Sequence, residues 1–291
     1  EMITLKNMST LQDGGIYTIH FTGLDRAGNM ADTITVSNVL YDYTPPEMII
    51  DYPLPRSISS TTDISFTLSE NLHQGEFKWI WLGGVEDTLA PYIAELIDDE
   101  LKEGAHTEIE LKNIPNVVEN ALYTLSFSGQ DRAGNQTLKV FVPGLQYDFT
   151  PPELTWYSPK SGDAVNHKKI HFENSEMLDR GTITWIWVGG VVDPDSSHAM
   201  ILTGDELKGD QFPEGMITNA PTLVDGSTYN ISYNAFDPAG NESNHILVEN
   251  ILYDITKPEV TIIYPLPRSI SRTSAVTYTL SEQLFEGQFK W

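Results

Sequence analysis

This chain of 291 residues contains no cysteine. That excludes a disulfide framework, a thiol nucleophile and thiolate metal ligands. It is also poor in positive charge. Its 17 Lys and Arg stand against 41 Asp and Glu, a formal charge of −24. Such a surface repels nucleic acid and anionic lipid, so neither is an expected partner. No apolar run reaches the roughly 18 residues of a membrane-spanning helix.

What the chain has instead is repetition. Tyr41-Asp42-Tyr43-Thr44-Pro45-Pro46-Glu47 returns as Tyr147-Asp148-Phe149-Thr150-Pro151-Pro152-Glu153, and again as Tyr253-Asp254-Ile255-Thr256-Lys257-Pro258-Glu259. The interval is 106 residues each time. Asp25-Arg26-Ala27-Gly28-Asn29, Asp131-Arg132-Ala133-Gly134-Asn135 and Asp237-Pro238-Ala239-Gly240-Asn241 keep the same interval, as do Ser69-Glu70, Ser175-Glu176 and Ser281-Glu282. Three unrelated motifs locked to one period mark tandem repeats of domain size.

The period predicts two complete repeats, 42–147 and 148–253. Residues 1–41 match the end of a repeat and residues 254–291 its start, so the chain reads as a slice of a longer array. The complete repeats carry formal charges of −11 each. The acidity therefore belongs to the repeated unit. It serves solubility and repulsion between chains, or it gathers carboxylates around divalent cations. The histidines do not recur between repeats, and no nucleophile elbow, phosphate loop or zinc spacing occurs. An enzyme is not expected.

Short alternating segments fill each repeat. Met48–Tyr52 stops at Pro53 and Pro55. Ile64, Phe66 and Leu68 share one face; so do Phe77, Trp79 and Trp81, and so do Tyr123, Leu125 and Phe127. Leu138–Val142 is the expected closing strand, and Asp98–Lys102 the expected helical turn before Gly104. About seven short strands in about 100 residues predict an all-β immunoglobulin-like sandwich. Tyr17, Tyr123 and Tyr229 open the penultimate strand, the place of a tyrosine corner. The Asp-x-Ala-Gly-Asn loop is the last hairpin, its Gly supplying the positive φ of a tight turn. Tyr52–Ser59 recurs word for word at Tyr264–Ser271 but not between them, which implies an alternating A-B-A-B order of repeats.

The combination of D-x-A-G-N, a closing strand and Y-D-x-T-P-P-E resembles the bacterial immunoglobulin-like repeats of giant adhesins and surface stalks. That resemblance covers the whole chain. It implies tandem immunoglobulin-like β-sandwich domains in a linear, rod-like array on the cell surface, extracellular, holding an adhesive tip away from the cell. Calcium often stiffens the junctions of such arrays.

In a sandwich of this kind the ends of the second strand and of the last hairpin lie at the pole where the chain enters. Asp42, Glu70 and Asp131 are expected to meet there, with Asn135 beside them. The set recurs as Asp148, Glu176 and Asp237, with Asn241. Asp254 and Glu282 offer a partial third set, and Asp25 the hairpin member of another. Oxygen donors of this type suit Ca²⁺, which takes six to eight. Each Asp is otherwise a turn cap and each Glu a solvated loop residue. Glu47, Glu153 and Glu259 are weaker candidates.

Trp79 and Trp81, like Trp185 and Trp187, are expected in the core, the alternative being rings exposed for sugar stacking. Neighbouring repeats of the same chain are the expected partners; glycans, or identical chains in a fibre, are the others.

Overall fold

The computed structural model describes residues 10–290. Residues 1–9, at the front of the first partial repeat, and Trp291 lie outside the described residues. The chain divides into two compact units, Glu1–Thr150 with Pro238–Gly240 and Pro151–Asp237 with Asn241–Trp291.

Among the described residues, the first unit opens with β1 (Gly15–Phe21) paired antiparallel to β2 (Ile34–Tyr41). A complete sandwich follows, built from β3 (Met48–Tyr52), β4 (Ile58–Ser59), β5 (Ile64–Leu68), β6 (Gln74–Gly84), β7 (Tyr92–Glu95), β8 (Gly104–Ile109), β9 (Ala121–Gln130) and β10 (Val140–Tyr147). One sheet has the order β3-β5-β8 and the other β4-β10-β9-β6-β7. The entering chain starts in the smaller sheet as β3, then crosses to pair parallel with β10 as β4. Pro53 and Pro55 lie at this crossing. A proline cannot donate a ladder hydrogen bond, so the first strand breaks where it changes sheets.

The second unit repeats the plan with β11 (Leu154–Ser158), β12 (Ala164–Val165), β13 (Ile170–Asn174), β14 (Arg180–Gly190), β15 (His198–Ile201), β16 (Gln211–Gly215), β17 (Ser227–Phe236) and β18 (Ile246–Tyr253). Its sheets run β11-β13-β16 and β12-β18-β17-β14-β15. β19 (Val260–Tyr264) and β20 (Thr277–Leu280) then form an antiparallel pair. All-β immunoglobulin-like architecture is thus what this sequence adopts.

The period-two pattern is cleanest in β9 and β17, where every second residue is buried. Phe66 from the small sheet meets Phe77 from the large one edge-on, with ring centroids 5.4 Å apart. Phe77 in turn contacts Phe127 at 5.1 Å. Trp79 is fully buried and donates its indole N–H to the Tyr147 hydroxyl at 2.8 Å. Tyr147 is therefore a core residue. The closing strand extends to it, further than Val142, while Leu138 lies outside the strand and is exposed.

Trp81 departs from the core expectation. It is 39% exposed and donates its indole N–H to the Val85 carbonyl at 3.0 Å. Trp187 is half-buried and makes the matching bond to Val191 at 2.8 Å. The cause is length. β6 and β14 have 11 residues each, whereas the facing β5 and β13 have five. The strand outruns the layer that would cover its last aromatic residue.

The last strand of each repeat carries a bulge where its register to the preceding strand shifts. The residue there has positive φ in all three cases: Asn38 at 61°, Gly144 at 76° and Asn250 at 59°. Only Gly and, at some cost, Asn accept that conformation readily. The Asn-to-Gly change between repeat types keeps one backbone feature.

Candidate metal centre

Three loops deliver the carboxylates of the first unit. Asp42 follows β2, Glu70 follows β5, and Asp131 opens the hairpin after β9. One oxygen from each lies within 4.8 Å of those of the other two. They line an open groove of about 660 Å³ together with Asn71, Asp98, Glu103 and two cations, Lys102 and Arg132. Asp131 is buried; Asp42 and Glu70 are half-buried.

Local chemistry explains each position. Asp131 Oδ1 accepts the N–H groups of Gly134 at 2.7 Å and Asn135 at 2.9 Å, which folds the hairpin back on itself. Burial pushes the Asp131 carboxyl up, but hydrogen bonds from the Asn135 side chain and from the Asn135 and Gly134 N–H groups outweigh it and hold the group below the ordinary carboxylate range. Gly28, Gly134 and Gly240 all have positive φ, as the hairpin reading requires. Asn135 donates its side-chain amide to Asp131 Oδ2 at 2.8 Å and reaches Asp42 Oδ1 at 3.4 Å. It bridges the two carboxylates through nitrogen.

Glu70 is placed by Ser69. The Ser69 hydroxyl accepts the Glu47 N–H at 2.8 Å, and the Ser69 N–H donates to the Glu47 carbonyl at 3.1 Å. Ser175 with Glu153 and Ser281 with Glu259 make the same two bonds. The recurrent Ser-Glu pair thus ties the second strand to the residue after the prolines. Burial, then the charges of Asp42 and Asp131, raise the affinity of Glu70 for a proton above the ordinary level. Among the described residues none of the three carboxylates has a basic ion-pair partner. Three carboxylates from three loops, with oxygens within 4.8 Å of one another, are the donor type that a hard divalent cation takes.

In the second unit, Asp237 is buried and its hairpin closes in the same way, with Asn241 donating its amide to Asp237 Oδ2 at 2.8 Å. Glu176 is half-buried after β13. Asp148 is half-buried at the end of the first unit, its N–H on the Ser59 carbonyl at 3.0 Å. Asp254 is half-buried after β18 and accepts the Thr256 N–H at 3.0 Å; Glu282 is half-buried after β20. Asp25 is exposed and caps its own hairpin through Asn29.

A second set of acids was not anticipated. Asp13 accepts the Tyr43 N–H at 2.9 Å and the Thr44 hydroxyl. Glu119 accepts the Phe149 N–H at 2.9 Å and the Thr150 hydroxyl at 2.7 Å. Asp225 accepts the Ile255 N–H at 2.7 Å and the Thr256 hydroxyl at 2.5 Å. In each case the threonine hydroxyl is the main force holding the acid below its ordinary range. The signal was present: an acid at 13, 119 and 225 keeps the 106-residue interval. The Asp-to-Glu change at its middle member hid it.

The model of the bacterial Ig-like domain, group 3, matches residues 5–155, just over half of the chain. The chain belongs to this family. No curated protein sequence matches it. Among solved structures, a tetra-tandem repeat from the extending region of a large adhesion protein is similar at 16% identity and a TM-score of 0.28, over 86% of this chain. This chain spans 59% of that structure. Clostridium thermocellum CbhA fibronectin(III)-like modules are similar at 17% identity and a TM-score of 0.35, covering 71% of this chain and 94% of theirs. The chicken CNTN1 FN1-FN3 domains follow at 10% identity and 0.40, covering 83% and 77%. Among the described residues of this bacterial Ig-like chain, no helix is long and apolar enough to cross a membrane.

Proposed function

We propose that this bacterial Ig-like chain is a structural stalk segment of an extracellular, cell-surface adhesin, and that Asp42, Glu70 and Asp131 hold a calcium ion that fixes the joint entering the first complete repeat. One observation carries the reading: carboxylates 28 and 61 residues apart in the chain are gathered within 4.8 Å, and among the described residues none of them forms an ion pair with a basic side chain. Folding at neutral pH then costs repulsion that a divalent ion removes. Calcium would supply charge neutralisation and a shared ligand set across the joint. The residues themselves do the rest. Asp131 anchors the site in the sandwich, Asn135 orients Asp42 against it, and Asp42 brings in the entering chain.

The test is calcium titration calorimetry on the whole chain and on Glu70→Gln, with small-angle scattering in calcium and in excess chelator. Loss of one binding event in the variant, with shortening and greater heterogeneity of the wild type on chelation, supports the proposal. Unchanged stoichiometry returns the three acids to turn and loop duty.

A second reading rests on the exposure of Trp81. An exposed aromatic ring suits stacking on a sugar, and its chain neighbours Leu82 and Val85 are 58% and 50% exposed. A glycan array probed with the chain, and with Trp81→Ala, separates repeated binding from spacing.

A further inference from the structure

We infer that Asp13, from the turn before β1, is a positioning residue that presets Asp42 for the cation. This deepens the proposed function and rests on it. The geometry is specific. Asp42 stands between the end of β2 and Pro45-Pro46, where neither sheet pairing nor proline supplies a hydrogen bond, and the Asn135 amide reaches its carbonyl and Oδ1 only at 3.3 and 3.4 Å. The next two residues are gripped more tightly. The Asp13 carboxylate takes the Tyr43 N–H and the Thr44 hydroxyl. The Thr44 N–H turns back onto Asp42 Oδ1 at 3.1 Å. Asp42 Oδ2 has no hydrogen-bond partner among the described residues.

Three carboxylates resist being brought together. A free linker would relieve the repulsion by swinging Asp42 away from Glu70 and Asp131. The Asp13 grip resists that swing before any ion arrives, so less ordering remains to be done on binding. The same grip is present at Glu119 on Thr150 and at Asp225 on Thr256. Its recurrence with either acid shows that the carboxylate matters and the side-chain length does not.

The grip also makes the site composite. Asp42 is held by the strands before it, while Glu70 and Asp131 belong to the sandwich after it. Outer groups that orient metal ligands typically change affinity by about 10- to 100-fold. Asp13→Asn keeps the shape but weakens the hold on two donors, and a loss of about 10-fold at one calcium site is the expected effect. Asp13→Glu reproduces the natural Glu119 arrangement and should bind as the wild type does.

The experiment uses the whole chain with calcium alone as the probe. Calorimetry compares wild type, Asp13→Asn, Asp13→Glu and Thr44→Val, with Glu70→Gln marking which binding event belongs to this site. Amide exchange of Tyr43 and Thr44 is followed in parallel in excess chelator, where no metal contributes. Faster exchange and weaker calcium binding at unchanged stoichiometry in Asp13→Asn and Thr44→Val, with recovery in Asp13→Glu, support the inference. Faster exchange with unchanged affinity overturns it, as does complete loss of one calcium in Asp13→Asn, which would make Asp13 a ligand. Unchanged exchange overturns the grip itself. A wild type that binds no calcium overturns the proposed function, and the exchange measurement in chelator identifies that case separately.

Discussion

Tyr123 donates its phenolic hydrogen to the buried carboxylate of Asp87 at 2.5 Å, and Tyr229 does the same to Asp193 at 2.6 Å. Each phenolic oxygen also accepts a backbone N–H five residues earlier, from Val118 and Val224, both at 2.9 Å. The tyrosine corner expected from the sequence is therefore also the partner of a buried acid on the loop after the long β6 or β14 strand.

Tyr123→Phe removes a donor to a buried charge and an acceptor for Val118. Hydrogen bonds to charged groups contribute about 1.5–3 kcal/mol, so the first complete repeat should lose about that much stability. Hydrogen exchange of the β6 and β9 amides reads it, and protection in the second unit should not move.

Acid should weaken the same corner. Burial raises the affinity of Asp87 for a proton, but hydrogen bonds from Tyr123, Leu89, Tyr92 and Ala90 outweigh it and hold the carboxyl below its ordinary range. Asp193 is held down against burial by Tyr229, His198 and the Asp195 N–H. A lowered folded value means that the ionised form favours the fold. The contribution is complete above the unfolded value of about 3.9 and declines as pH falls through the lower folded one. The stability difference between wild type and Asp87→Asn should therefore shrink below about pH 4, as followed by denaturant unfolding across pH.

The two tryptophans of β6 should separate in a mutational test. Trp79→Ala opens a cavity in the core and strands the Tyr147 hydroxyl, costing about 3–5 kcal/mol. Trp81→Ala, at the exposed end of the strand, should cost about 1 kcal/mol. Equal costs, measured by thermal unfolding of the variants, would place Trp81 in the core after all.

Arg56→Gly should stabilise the chain. Arg56 is exposed at φ 63° and donates its N–H to the Pro143 carbonyl. Gly162 occupies the corresponding place at φ 84° and makes the same bond to Glu249. The left-handed conformation costs a residue with a Cβ about 1–2 kcal/mol, and glycine returns about half of that through its freer unfolded chain. A net gain of about 0.5–1 kcal/mol corresponds to a rise in the melting temperature of the repeat by about 2–4 °C.

Much of this was legible in the one-dimensional pattern. The 106-residue interval, the alternation in Ile64–Leu68 and Tyr123–Phe127, and the Asp131–Asn135 hairpin depend on local rules: period-two side-chain direction, proline as a strand breaker, glycine at positive φ. Such rules act over a few residues and survive translation into structure unchanged. They were enough to nominate Asp42, Glu70 and Asp131 as neighbours. Other features depend on what lies across the core. Trp81 is left exposed because β6 is longer than the strands that face it, and Tyr147 enters the core because β10 continues to it. Asp13 grips Thr44 across 31 residues. By itself the sequence determined the repeat, the strand class and the acids that converge. Only the tertiary structure decided which aromatic ring is covered and which acid takes the Thr44 hydroxyl, because both follow from the meeting of segments distant in the chain.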